Sequence, residues 1–377
     1  MDLDLQSACL VIDFVYLEKM TREDELRKIL ERHRKGDILD GRSIDYNPFF
    51  ALLEYDGRRL CSMVTNGEVF FNLVDSWERN SVAIYKLRTV AVFRGVLEAI
   101  FSISAKIVGN GIYPQVGGVN PPEFRPESKK LLLTKRDLLN SLSLFECDDE
   151  KYPWMNSVER QALFLFISNT LFRFVVFHEL GHLYHEHGKR SVDGDFIEND
   201  SMDREDLQGG IDSQARESIA DTFAFQKLAE FQQFHLLSQQ DDPIGSLLSS
   251  HFMSTAEDLL VFVSQMAFIY FYMMESPTWA HENPVKWTHP PAQFRLQTIF
   301  AALLEHGMLG VSKERMPVIL QKALMSGPSI TAVMFDTPPE FDWLQILDQP
   351  RYREHYELIY AAIPNWLTPN EDRWGKE

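Results

Sequence analysis

The segment His178-Glu179-Leu180-Gly181-His182 carries the chemistry that is easiest to recognise in this chain. Residues four apart share one face of a helix, so both imidazoles can point at a single metal ion. Zinc accepts nitrogen, sulfur and carboxylate ligands and keeps an open position where it is catalytic. Glu179, one residue after the first histidine, can reach a water in that position and take its proton. This spacing reads as a zinc peptidase motif. The bland alternative is a pair of core histidines satisfied by hydrogen bonds.

The element that must hold these residues is a long apolar helix. Ala162 to Phe177 includes Phe164, Leu165, Phe166, Ile167, Leu171, Phe172, Phe174, Val175 and Val176. Asn156 with Glu159 three residues on has the form of a capping box. The pattern predicts a helix from about Ser157 to about His187. A helix apolar on most sides is buried. Burying His178 and Glu179 without partners is costly, and a metal supplies partners.

Two histidines do not complete a zinc site. His185 shares their face but lies a turn beyond the point between them, and with His187 it reads as a solvated residue at a helix C-terminus. The better candidate is Glu217, in Ala215-Arg216-Glu217-Ser218-Ile219-Ala220-Asp221. Glu217 and Asp221 sit four apart on a second helix. One can bind zinc while the other accepts the free N–H of a ligating histidine. Small Ala220 and Ala224 permit close helix approach. The competing reading is an ordinary charged face with an Arg216–Glu217 neighbour pair. Downstream, Thr288-His289-Pro290-Pro291 suits a helix start, and His289 or Arg295 can steady the oxyanion of a tetrahedral intermediate.

The ordered set H-E-L-G-H, R-E-x-x-A-D-x-x-A and T-H-P-P-x-x-x-R resembles the gluzincin peptidases of the HtpX and CAAX-protease type. The resemblance implies a zincin-like core and one Zn2+ per chain, bound by His178, His182 and Glu217. It implies Glu179 as the base, Asp221 as support for a ligand histidine, and His289 and Arg295 as residues lining the catalytic site. It covers short blocks between about Phe174 and Arg295. The gap from His182 to Glu217 is shorter than in that type. It is similar to the compact ImmA/IrrE-type gluzincins, which are soluble and cut regulatory proteins.

The 377 residues suffice for a large core. Lys and Arg number 37 against 55 Asp and Glu, a net charge of −18. Such a surface repels nucleic acid and anionic membrane. Cys9, Cys61 and Cys147 are odd in number and scattered, which fits a reducing cytoplasm rather than a disulfide framework. The N-terminus lacks the basic region of a signal peptide. Leu259 to Met274 is apolar but short for a membrane span and reads as a buried helix, so no stable membrane insertion is expected.

Between Phe49 and Val74, Asp56-Gly57 and Asn66-Gly67 separate apolar runs. They predict a three-stranded antiparallel meander over 49–74. Ser81 to Val108 reads as one long helix, Gly109 to Pro126 as a loop, and Lys130 to Leu144 as an amphipathic helix. Cys147 to Pro153 is the boundary between an N-terminal α+β region, 1–150, and a helical metallopeptidase region, 151–377. Val192 to Asp212 is an acidic connector, and the aromatic-rich tail after Arg351 docks on the core. The expected fold class is α+β, mostly helical. The expected function is soluble, cytoplasmic, zinc-dependent hydrolysis of a protein or peptide substrate. The alternative is a regulatory or toxin-type protein whose zinc fold mainly recognises a partner protein.

Overall fold

The computed structural model describes residues 21–39, 48–116, 153–190, 207–239, 241–274, 279–287, 290–335, 337–339 and 341–368. The order begins with helix α1 (21–32), β1 (Asp37–Ile38), α2 (Pro48–Thr65), β2 (Phe70–Asp75), β3 (Ser81–Ile84), β4 (Thr89–Phe93) and α3 (Arg94–Gly109). It continues with α4 (Val158–Tyr184), α5 (Leu207–Ser238), α6 (Pro243–Phe252), α7 (Ala256–Met274), α8 (Ala292–His306), α9 (Met316–Phe335), α10 (Trp343–Leu347) and α11 (Pro350–Trp366). The chain is α+β and mostly helical, as its sequence leads one to expect.

The meander is not formed. Pro48–Thr65 is a helix, and only the third expected strand exists, as β2. Phe50, Leu53, Leu60 and Cys61 are buried at helical spacing along one face. Gly57 is no turn residue. A Cβ there would meet the Phe71 ring at 2.6 Å, so glycine lets α2 lie directly on β2. Asn66 and Gly67 do turn the chain, with φ of 51° and 82°.

The helix expected over 81–108 divides into β3, a short turn at Tyr85–Leu87, β4 and then α3. Strand β4 holds Thr89, Val90 and Val92, β-branched residues that favour a pleated, two-sided environment. All of its residues are buried. The sheet order is β1-β2-β4-β3, with β2 and β4 parallel and the outer pairs antiparallel. Phe70 pairs with Thr89 and Ser81 with Val92. Alternating side chains serve two cores. Val82, Ala91 and Phe93 face Leu26, Ile29 and Leu30 of α1. Ala83, Val90 and Val92 face the large helical core.

That core takes residues from Leu39 to Ala362, on both sides of position 150. Helix α4 runs through it and touches α2, α3, α5, α7, β3 and β4. Its cap is Ser157, one residue later than expected. The Ser157 backbone is extended, and its hydroxyl accepts from Arg160 N at 3.3 Å. Asn156 instead closes the turn Pro153–Asn156. Three helices among the described residues, Val158–Tyr184, Ala256–Met274 and Lys313–Phe335, are long and apolar enough to cross a membrane. In each, more than half of the apolar stretch is buried against other elements. Tyr352 stacks on Trp287, and Arg216 lies over Trp366, so α11 docks the tail as its aromatics suggest. The segments 130–144, 147–152 and 191–206 lie outside the described residues. Positions 207–212 of the expected connector belong to α5.

Candidate metal centre

Helices α4 and α5 pack closely enough to share a site because of Gly181. A Cβ on it would lie 3.0 Å from Ala220 Cα and 3.2 Å from Phe223 Cβ. This contact brings the histidine face of α4 against the Glu217–Asp221 face of α5. His178, His182 and Glu217 then offer ligand atoms that all lie within 4.8 Å of one another.

The two imidazoles and the Glu217 carboxylate form a compact cluster. His178 Nε2 and His182 Nε2 are 3.1 Å apart. His178 Nε2 lies 3.5 Å from Glu217 Oε2, and His182 Nε2 lies 3.5 Å from Glu217 Oε1. Two bonds of about 2.0–2.1 Å meeting at a tetrahedral angle separate their ends by about 3.3–3.4 Å. The separation of the two imidazole nitrogens is close to that spacing, and each imidazole faces a different oxygen of Glu217. The cluster's donors, two imidazoles and a carboxylate, are those of a zinc or related transition-metal centre. His185 is not part of it.

The supporting contacts are dense. His178 Nδ1 lies 2.9 Å from Asp221 Oδ1, a contact made off the N–H axis. Asp221 in turn receives a two-pronged grip from Arg295 of α8, Nε to Oδ2 at 2.7 Å and Nη2 to Oδ1 at 2.6 Å. Arg295 Nη2 is also 3.8 Å from Glu217 Oε2, and its guanidinium sits 4.0 Å over the Phe271 ring. Arg295 thus reaches the site as expected. Through Nε and Nη2 it holds Asp221 beside His178. His289 lies outside the described residues.

Glu179 accepts a hydrogen bond from Ser81 Oγ of β3 at 2.6 Å. No local pattern connects those two residues, and sequence reasoning missed Ser81. It also misjudged His185 and His187, which are buried rather than solvated. His187 Nδ1 lies 2.9 Å from His182 Nδ1. The signal available was a second histidine after the motif, but nothing in the sequence shows the chain folding back there. Tyr270 of α7 was also missed. It is buried, and it shares the electrostatic field of Arg295, Glu179, Asp221 and Glu217.

The electrostatics favour a cation. Glu179, Glu217 and Asp221 bring three carboxylates and Arg295 one guanidinium, so −3 + 1 leaves −2 when all are ionised. Burial alone opposes ionisation of Glu217, yet it is held well below the usual carboxylate range by its hydrogen bond to His178 and by the charges of His178, His182 and Arg295. Asp221 is likewise lowered against burial, chiefly by Arg295. Burial pushes Glu179 up, against the pull of both histidines and Ser81. With no cation bound, burial disfavours a charged His178, but Asp221 and Glu217 outweigh it and push the imidazole up to about 10. His187 is driven well below 6.5, first by burial and then by the neighbouring charges of His182, His185 and Arg216. A proton on His178 and a divalent cation on the cluster are thus alternative ways to balance the same buried charge.

A separate groove of about 1140 Å3 runs along α2, α4, α5, α8 and α11, lined by residues such as Met63, Phe177, Phe223, Phe231 and Ile363. Neither His178, His182 nor Glu217 lines it. The ligand cluster and this apolar groove are thus separate features of the described residues. The chain matches no protein-family profile, curated protein or solved structure, so the chemistry of this centre rests on its own geometry.

Proposed function

We propose that this chain is a zinc-dependent metalloendopeptidase of gluzincin type, holding one Zn2+ per chain and hydrolysing peptide bonds of a protein or peptide substrate. One observation carries the reading. Two imidazole nitrogens and the Glu217 carboxylate stand close enough to share one metal ion, with the carboxylate of Glu179 on the residue adjoining His178. Zinc held there would supply a Lewis acid that polarises a carbonyl and acidifies a water.

The chain's own residues supply the proton handling. Glu179 takes the proton of the attacking water and returns it to the leaving amine. Its raised affinity for protons, caused by burial, suits a group that must both accept and donate. Ser81 fixes the carboxylate by donating to Oε1, which leaves Oε2 for the water. Asp221, held by Arg295, orients His178. His289 or Arg295 steadies the oxyanion, by its place in the Thr288–Arg295 motif. A purely structural metal site has no need of a base beside its ligands.

The acidic composition and the burial of the long apolar helices support a soluble, cytoplasmic protein. Recovery of the expressed chain in the membrane fraction would overturn that part. A second reading, in which the metal fold mainly recognises a partner protein, is favoured by the large apolar groove away from the ligands. Profiling new protein termini after expressing wild type or Glu179→Gln separates the two. The amide keeps the shape of the side chain but cannot accept the proton, so termini seen with wild type alone support the peptidase. Identical termini, with zinc bound in both proteins, would refute it.

A further inference from the structure

We infer that His187 is a positioning residue for the metal centre: it accepts the Nδ1 proton of His182 and so fixes the tautomer that presents His182 Nε2 as a ligand. The inference rests on the metal reading above and extends the histidine motif by five residues beyond His182.

Hydrogen-bond accounting leads to this assignment. His182 Nε2 faces His178 and Glu217, so a metal takes its lone pair there. The His182 proton must then reside on Nδ1, and a buried N–H needs an acceptor. His187 Nδ1 lies at 2.9 Å from it. For His187 to accept, its own proton must sit on Nε2, which has no hydrogen-bond partner among the described residues, so the pair of tautomers that frees His182 Nε2 for a metal is set at the cost of one unpaired buried N–H. Beside His178 the corresponding place is taken by Asp221, whose Oδ1 lies 2.9 Å from Nδ1. The two ligand histidines thus have different supports, one a carboxylate tied to Arg295 and the other a neutral ring.

The backbone is shaped to deliver His187. Helix α4 ends at Tyr184, and Glu186 adopts a left-handed φ of 52°. That conformation costs a non-glycine residue roughly 1–2 kcal/mol and reverses the chain so that the turn His187–Arg190 follows at once. Gly188 closes the turn against Tyr85, whose ring a Cβ would meet at 2.1 Å. On the other side His187 stacks on His185 with ring centroids 5.7 Å apart and meets Trp366 edge-on at 6.3 Å. A ring with no exposed surface, wedged between two chain segments, cannot turn its Nδ1 away.

The test uses the full chain and two nearly isosteric replacements. The amide oxygen of His187→Asn takes the place of Nδ1 as an acceptor, whereas His187→Leu fills similar space with no acceptor. Zinc affinity is measured by competition with a chromophoric chelator, and circular dichroism and melting check the fold of each protein. His187→Leu should bind zinc about 10–100-fold more weakly than wild type, the scale for a lost hydrogen-bond partner of a ligand. His187→Asn should recover most of that loss, and the Co2+-substituted protein should keep its wild-type absorption spectrum only in the Asn variant. Equal affinities for Asn and Leu, whether both strong or both weak, would overturn the role of His187. Wild-type chain that binds no zinc would instead overturn the metal centre itself.

Discussion

The buried pair of Asp221 and Arg295 yields the sharpest quantitative prediction. Their side chains are 1% and 5% exposed and joined by two short hydrogen bonds. Removing one partner of a buried pair strands the other charge and costs ~3–5 kcal/mol. Unfolding entropy of ~2.1 cal/mol/K per residue, taken over 377 residues, is ~0.8 kcal/mol/K. Asp221→Ala should therefore lower Tm by about 4–6 °C in chelator, where no metal adds its own stabilisation. The larger figure is expected, because metal-free His178 also loses its partner. Arg295→Met should fall by a similar amount, since Asp221 and Glu217 then lose a buried counter-charge. The double variant should melt above either single, because neither charge is left alone. Zinc affinity should behave differently. It should drop about 10–100-fold in Asp221→Ala and stay low in the double variant, as His178 has no acceptor in either. Scanning calorimetry and chelator competition give both quantities. A double variant melting below both singles, or an Asp221→Ala melt within about 1 °C of wild type, would refute the coupling.

Two further outcomes follow from other contacts. In the metal-free chain His178 carries a proton up to about pH 10, so zinc uptake at neutral pH should release that proton, and affinity should rise about tenfold per pH unit. Calorimetry in buffers of different ionisation enthalpy reads the proton count, and a count of zero would show that His178 is not displaced. The same proton stabilises the metal-free fold in the opposite sense: its contribution is complete below about pH 6.5 and lost as pH climbs through about 10. At Gly181, alanine would gain ~1 kcal/mol of helix propensity. The new Cβ, 3.0 Å from the Ala220 backbone, should lose ~1–3 kcal/mol by overpacking. Gly181→Ala should thus be neutral to destabilising in denaturant melts and bind zinc more weakly, and a clear gain in stability would show that the helices are not in forced contact.

Much of the site was legible because helical spacing is a local property. His178 and His182 share a face, and so do Glu217 and Asp221, whatever surrounds them. Arg295 was legible as a neighbour of the site, but its grip on Asp221 was not, since the direction of its fork depends on another helix. Ser81 and His187 were illegible for different reasons. Ser81 meets Glu179 across 98 positions with no motif of its own. His187 is close in sequence, but its burial follows from a left-handed Glu186 that no glycine announces. The strands failed for a third reason. Asp56-Gly57 has the composition of a tight turn, yet the aspartate serves as a buried partner of Arg173 at 2.7 Å and the glycine as a seat for Phe71. Residue types that suit turns also suit close packing, and only the tertiary neighbour decides between them.

The site's contacts also bear on when the candidate metal centre can form during synthesis. Glu179 waits for a strand 98 positions earlier, and Asp221 for an arginine 74 positions later. Closing such long segments is slow compared with helix formation. A ribosome that has released only the two histidines of α4 has made a pair of ligands with no carboxylate and no restraint. Affinity for metal then arrives late, after α5 has docked and α8 has emerged to clamp Asp221. An unfinished chain would lack the complete cluster, and metal occupancy would report that folding has reached completion.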